Sequence, residues 1–520
     1  MASLIINTVR NVVPNWRDYK TTAELGELNG NNATVQKLPF FSIDEYIRAW
    51  MEYPSIPYAG DLISAAIMAN QQNNPIVQKA AKYITERKDD VTDSLYRTSL
   101  SIVPARETIS EPDSTSVSER LENILNQNTI IKERISFLRK LIHRYPYNPI
   151  WYSEIALAYT KLGLTKKAVD YMKIAIHLAP VSRYISRSAA RLFLHIGDID
   201  RAHDVLTKNP AISKDPWIVA AEIGVNALRG RSSRFIKPGV SMINSGDYSP
   251  FSLTELSSAI GSIEYNHSRK KCKLFIDKAL ICPNDNSLSQ AEWLLSLDNS
   301  MNFAFSDYHS LKNKYEADAR RAYLNNDYSQ ALITSVEWIE QMPFAKTPID
   351  FAAHMAYTFQ KKYDDAIKIL EIGLRANPNE LSFWNNLAYS YAISGNTEEA
   401  DKILHLPFLN SPFIKNSTRI CVMATKGLCE FRKGRIDEGR ILYKAAISMA
   451  KDLKDINLMN KAILNYIREE LLATKQCEAE LIGLIDVIHT GDDRETAIMR
   501  KDIKDILNQN DITWITDNSQ

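Results

Sequence analysis

Four residues with metal-ligating side chains fall close together in this chain. His195, Asp198, Asp200 and His203 form an H-x2-D-x-D-x2-H run, and imidazoles and carboxylates are both potential metal ligands. Gly197 and Asp198, however, read as a turn between two helices, where Gly-Asp is ordinary turn and capping chemistry. That places the two histidines on different helices, so the expected role is structural and no metal or cofactor is assigned. The spacings of a phosphate loop, an H-E-x-x-H zinc helix, a Cys-x2-Cys pair and a G-x-S-x-G elbow do not occur. Cys272 and Cys282 flank an apolar helix, and Cys421 and Cys429 lie eight apart on one helix, beyond disulfide reach. Neither enzymatic activity nor a small-molecule substrate is expected.

Charge offers a different chemistry. Arg183, Arg187, Arg191 and His195 recur every four residues and share one helical ridge. Such a ridge attracts carboxylates or phosphates, with arginine able to bind bidentately; a solvated charged face is the alternative. Residues 181–280 hold 15 Lys/Arg against nine Asp/Glu, with clusters at Arg229, Arg231, Arg234 and Lys237 and at Arg269, Lys270, Lys271 and Lys273. An acidic partner or an RNA backbone would meet this balance. Aromatic residues near the clusters are sparse (Phe235, Phe275), which is little for base stacking.

The elements that position these residues repeat every 34 residues. From Leu381, the residues Trp384, Leu387, Ala388, Tyr391, Gly395 and Ala400 recur at intervals matched by Tyr152, Ile155, Ala156, Tyr159, Gly163 and Ala168, followed by Ala175 and Pro180. The glycines end first helices and the prolines follow second ones. This pattern resembles the tetratricopeptide-repeat family. The resemblance implies an all-α fold, an α-solenoid of stacked helix-turn-helix repeats, with a divergent helical region ahead of it. The expected divisions are 1–104, an arm and divergent helical hairpins; 105–118, a linker rich in Ser, Thr, Pro and Glu; 115–230, a first array; 231–311, a degenerate basic segment; 312–450, a second array; and 451–520, capping helices and an acidic tail. The spacing Ser116-x-x-Glu119 predicts a capping box where the array begins.

In this family the first helices of successive units line a concave groove, and the resemblance therefore places Tyr184, Arg187, Ser188 and Arg191, next to Arg183, on its surface. Asn386 matches one asparagine of the carboxylate clamp that some members use for chaperone tails. The other clamp positions carry Phe351, Met355, Cys421 and Thr425, which argues against that ligand. Phe351, Met355 and Tyr389 instead describe an apolar groove suited to an amphipathic helix. Trp16, Arg17, Asp18 and Tyr19 form a further cluster, read as an anchoring segment docked on the array or as a partner-binding arm.

Composition agrees with a soluble chain: 520 residues, 45% hydrophobic, 24% charged, net charge +1 and five cysteines without clustering. No charged leader with an apolar core opens the sequence, and no apolar run reaches the ~18 residues that cross a bilayer. The expectation is a cytoplasmic, non-enzymatic scaffold that binds an anionic peptide, an amphipathic helix or both, without membrane contact; an RNA-binding accessory protein is the alternative. On this reading, Arg187→Glu with Arg191→Glu weakens an anionic partner in a pull-down and leaves thermal stability nearly unchanged.

Overall fold

The computed structural model describes residues 10–18, 43–68, 71–103, 116–298, 300–305, 311, 313–478, 483, 485, 488, 494–509 and 513–515. Tyr19 and most of the expected linker, 104–115, lie outside the described residues. Four helices come first: α1 Asp44–Glu52, α2 Ile56–Met68, α3 Pro75–Thr85 and α4 Asp93–Ile102. They share a small core of their own around Leu62, Ala80, Ala81 and Ile84.

The array opens with α5 Val117–Leu125 and α6 Asn128–Arg144. Its start carries the predicted capping box: Ser116 Oγ accepts from the Glu119 N–H, and the Glu119 carboxylate accepts from the Ser116 N–H. Paired helices follow, α7 Pro149–Lys161 with α8 Thr165–Leu178, α9 Arg183–His195 with α10 Ile199–Thr207, α11 Pro216–Leu228 with α12 Ile236–Asn244, and α13 Pro250–Glu264 with α14 Arg269–Ala279. Residues 230–250, expected as an enlarged loop or disrupted helix, thus contain the short helix α12. Next comes α15 Asp285–Leu297, which has no second helix beside it in sequence among the described residues. The pairing resumes with α16 Tyr315–Leu324 and α17 Tyr328–Gln341, α18 Lys346–His354 and α19 Tyr363–Ala376, α20 Leu381–Ile393 and α21 Thr397–Leu404, then α22 Asn416–Arg432 and α23 Ile436–Asp452. A π-helical turn, Met355–Phe359, extends α18. Two further helices, α24 Ile456–Thr474 and α25 Arg494–Gln509, follow, and the three-residue strands β1 Gln476–Glu478 and β2 Thr513–Ile515 pair in parallel. The chain is an all-α solenoid. No helix among the described residues is long and apolar enough to cross a membrane.

Small residues set the spacing. Ala156, Ala168 and Ala175 are fully buried where α7 meets α8, because a larger side chain would push the helices apart. Gly163, Gly197, Gly395 and Gly434 end first helices at φ of 70°, 80°, 91° and 81°, the left-handed region that costs glycine least. One hydrophobic core takes in Leu121, Ile223, Ile349 and Tyr443, so both arrays contribute to it.

After one superhelical turn the array meets itself: α5 packs on α17 and α19. Arg120 grips the Glu340 carboxylate through two bonds of 2.8 Å and reaches Glu337 at 3.4 Å. Lys368 donates to Ser118 and Glu122, and Arg375 donates to the carbonyls of Ile124 and Leu125, 3.1 and 2.6 Å away. These carbonyls belong to the last turn of α5, whose acceptors have no partner within the helix. Gly163 fits here for a second reason, since a Cβ would lie 2.4 Å from the Arg375 carbonyl oxygen. Arg120→Glu sets a third carboxylate beside Glu337 and Glu340; we expect it to cost on the order of 2 kcal/mol and to raise the radius of gyration in small-angle scattering, and an unchanged radius would show that the seam does not hold the turn closed.

Candidate functional site

The first helices of the units face the interior of this turn, and several are enclosed on every side. Along α11 everything from Pro216 to Asn226 is buried, Glu222 and Asn226 included. Polar groups at such depth need partners, because an unpaired buried charge costs several kcal/mol. The chain supplies many of those partners from its own N-terminal segment, residues 10–18, which lies along the interior.

Arg10 makes four hydrogen bonds there: Nε and Nη2 to the two Glu316 carboxylate oxygens at 2.8 Å each, Nη1 to Gln290 at 2.6 Å and Nη2 to Asn286 at 2.8 Å. The segment's backbone is read as well. Gln290 donates to the Arg10 carbonyl at 3.1 Å, and Asn286 donates to the Val13 carbonyl at 2.9 Å. Val12 is 1% exposed, with its carbonyl pressed against α11 so closely that a Cβ on Gly224 would lie 2.1 Å from the oxygen. Trp16, also 1% exposed, meets Phe344 edge-on with ring centroids 5.7 Å apart. Arg17 donates to Asp285 at 2.7 Å and stacks over the Tyr315 ring, and Asp18 meets Lys161 at 3.0 Å. Trp16, Arg17 and Asp18, which the sequence offered as an anchoring segment, are therefore docked on the array.

The charges of this interior depend on one another. Burial pushes the Glu316 carboxyl up, but Arg10 and Arg320 bring it down to about 2. Burial works against Arg10 too, and Glu316 nonetheless holds it above its ordinary value. Asp285 is raised by burial despite the Arg17 guanidinium beside it. Glu255 accepts from Arg187 at 2.8 Å and from Asn284 and Asn286 at 3.1 Å each.

The arginine ridge looks different in this setting. Arg183 pairs with Asp215 at 2.7 Å and Arg187 with Glu255, all four residues being buried. Tyr184, buried as well, donates to Glu154 at 3.3 Å. Arg191 is lowered by burial and by nearby Arg10, with Glu316 opposing. The ridge thus faces the interior, but the chain itself neutralises Arg183 and Arg187. His195 meets the Phe344 ring, and burial, with Arg191 and Lys346 adding to it, pushes its pKa down to about 4. Asp198 caps α10, Asp200 pairs with Arg229 at 2.9 Å, and His203 lies 3.3 Å from Glu222. No cluster of three or more His, Cys, Asp or Glu that could hold a metal occurs among the described residues.

In the second array Phe351 and Met355 are fully buried, with Phe351 edge-on to Tyr323 and Trp338. Neither is an open groove wall as the chain stands. Asn386 is buried beside Asn385, and Tyr389 packs on Tyr357 with centroids 5.6 Å apart. A helix does reach this side, and it is the chain's own α25. Arg494 stacks over the Tyr323 ring and donates to the Tyr323 and Leu324 carbonyls, and Asp502 pairs with Lys361 at 2.7 Å. Residues 10–18 and α25 therefore both pack on the array.

Sequence reasoning missed Arg10, Glu255, Asp285, Asn286, Gln290 and Glu316. The signal was present in the run Asp285–Glu292, where six of eight residues are polar, including Asp285, Asn286 and Gln290, on a helix that has no amphipathic pattern. A polar helix inside an array implies a polar occupant.

A family model matches part of the second array. Residues 355–401 match the family model of the tetratricopeptide repeat. Among solved structures, a human IFIT1 dimer with PPP-AAAA shares 16% identity, covering 76% of this chain and 95% of that one at a TM-score of 0.34. Yeast Tom70 shares 15% over the same fractions at a TM-score of 0.31. No curated protein matches in sequence.

Two predictions follow from the interior. Arg187→Glu with Arg191→Glu now carries a different expectation, because it sets a carboxylate against buried Glu255: we expect a loss of ~3–5 kcal/mol in urea unfolding, where the ridge seen as open surface predicted almost none. Gly224→Ala favours the helix intrinsically by ~1 kcal/mol but collides with the Val12 carbonyl. Trypsin should then cleave at Arg10 and Arg17 much faster than in the wild type, and equal cleavage would mean that the segment is not held here.

Proposed function

We propose that this chain is a non-enzymatic interaction scaffold whose superhelical interior binds an extended peptide rich in arginine and tryptophan. One observation carries the reading: the interior already holds such a segment, residues 10–18, through side chains and backbone carbonyls together. Side-chain amides that grip carbonyls recognise an extended chain of any sequence, while Glu316, Asp285 and the Phe344 site select for cationic and aromatic residues. This reverses the charge expected of the partner, since the acidic and amide groups, not the paired arginines, meet the occupant. The segment would act as a built-in stand-in that a partner displaces.

Binding of RNA to Arg231, Arg234, Lys237, Lys270 and Lys271, all exposed, is the rival reading. Filter binding at low and high salt addresses it, because phosphate contacts weaken steeply with salt. For the scaffold itself, a fluorescent peptide of residues 10–18 is titrated against the full chain carrying Arg10→Ala and Arg17→Ala. We expect saturable binding at least about tenfold tighter than to the wild type, lost when Asp285→Asn and Glu316→Gln are added. A folded double-alanine chain that does not bind the peptide, together with salt-sensitive RNA retention, would decide for the rival.

A further inference from the structure

The outside of the turn carries a different surface. α12 and α14 are second helices of adjacent units, both packed on α13, and their C-terminal ends meet where Lys278 donates to Asn244 at 2.9 Å. On α14, Cys272, Phe275, Ile276 and Ala279 are buried. Lys270, Lys271 and Leu274 face outward at helical spacing. Leu274 is 54% exposed, and Ile281, just beyond the helix, is 52% exposed.

Charge on this face is not balanced. Residues 229–280 hold nine Lys/Arg against four Asp/Glu, and one of those acids, Glu255, belongs to the interior with Arg187. Asp200 and Asp298 reach in to pair with Arg229 and Arg269, and Asp277 pairs with Lys273. With Asp247 and Glu264 counted in full as well, the surface keeps an excess of four positive charges. Arg231, Arg234, Lys237, Lys270 and Lys271 are exposed, and among the described residues none of them pairs with a carboxylate.

These charges oppose the helices that carry them. Arg269, Lys270 and Lys271 fill the first turn of α14 and Lys237 stands in that of α12, and neither turn holds an acid. A helix N-terminus is stabilised by negative charge and disfavours cations, so local stability does not account for the pattern. An anion lying here meets helix N-termini and lysines together.

The apolar tips choose among anions. A nucleic-acid backbone gains nothing from a half-exposed leucine, and a folded acidic protein would need a pocket shaped to receive it. A fluid headgroup layer closes around isolated apolar side chains while its phosphates meet the lysines, whose point charges require no fixed geometry. No helix has to cross a bilayer to make such contact.

We infer that the outer face of α12 and α14 binds the surface of an anionic phospholipid bilayer, with Leu274 and Ile281 seated among the headgroups. The interior lies on the other side of these units, so the inference does not depend on what the interior binds.

The full chain is sedimented with phosphatidylcholine vesicles that contain or lack phosphatidylserine. We expect co-sedimentation only with the anionic vesicles, and its loss at high salt. Lys270→Gln with Lys271→Gln should weaken it about thirtyfold. Leu274→Ser should weaken it about fivefold and leave unchanged any retention of single-stranded RNA on a filter. Should Leu274→Ser fail to fold, Ile281→Ser, outside the helix, replaces it. The inference is overturned if the chain ignores anionic vesicles, if neutral vesicles sediment it equally, or if the lysine variant binds as the wild type does. It is overturned as well if Leu274→Ser binds vesicles like the wild type; the face is then a general polyanion site, and RNA displacing the vesicles would name its ligand.

Discussion

Glu316 bears its charge almost out of reach of water, held ionised by Arg10 from the N-terminal segment and Arg320 from its own helix. Around this pair the interior is assembled. Arg10 also ties Asn286 and Gln290, Asn286 ties Glu255, and Glu255 ties Arg187. Removing any one charge strands its neighbours in a low-dielectric setting, where a broken buried pair costs ~3–5 kcal/mol. The depressed Glu316 carboxyl gives this network a pH signature. Its contribution is complete above the ordinary value of 4.5 and is lost as pH falls through about 2.

That network explains why several first helices, α7, α11, α13 and α15 among them, lack the usual division into apolar and polar faces. A solenoid normally exposes its concave surface to water, so polar residues there need no partner. Here the turn closes at the seam between α5 and α19, and residues 10–18 and α25 pack on the array. Polar residues such as Glu154, Glu222 and Glu255 are then as buried as the alanines between the helices. Each has a hydrogen-bonding partner within the protein, which fixes helix positions by geometry as well as by area.

How much of this was legible depends on the range of the interaction. The 34-residue period, the left-handed glycines and the Ser116 capping box are local, set by contacts within a unit or across one turn, and the sequence shows them directly. The docking of Trp16, Arg17 and Asp18 was legible as a composition anomaly, but its destination was not. Glu316 and Asp285 stand some 300 and 270 residues from Arg10 and Arg17, and nothing in a single sequence pairs residues at such distance. The arginine ridge illustrates the same limit. Its four-residue spacing correctly placed the side chains on one helical face, but Arg183 and Arg187 find their carboxylates in other units, at Asp215 and Glu255, so half of a ridge that looked available is neutralised. Phe351 and Met355 were assigned to a wall by analogy of position, whereas their burial is decided by Tyr323, Trp338 and neighbours from other units.

A segment joined to the groove it fills competes with any free ligand by proximity. Short flexible linkers give effective concentrations near millimolar; here α1 to α4 and their connections separate Asp18 from Ser116, so the value is lower, and the tenancy rests mainly on the contacts themselves. A partner with the same contacts and no tether wins only when its concentration exceeds that effective value or when it adds contacts the segment lacks. The second route is the more open one. Residues 10–18 engage α7, α11, α15 and α16, whereas the array continues through α24. A longer peptide that starts in the acidic interior and extends along the second array would gain contacts with every added unit, up to the point where α25 lies across its path. For such a peptide, displacing residues 10–18 would not suffice, because α25 would still lie along its path.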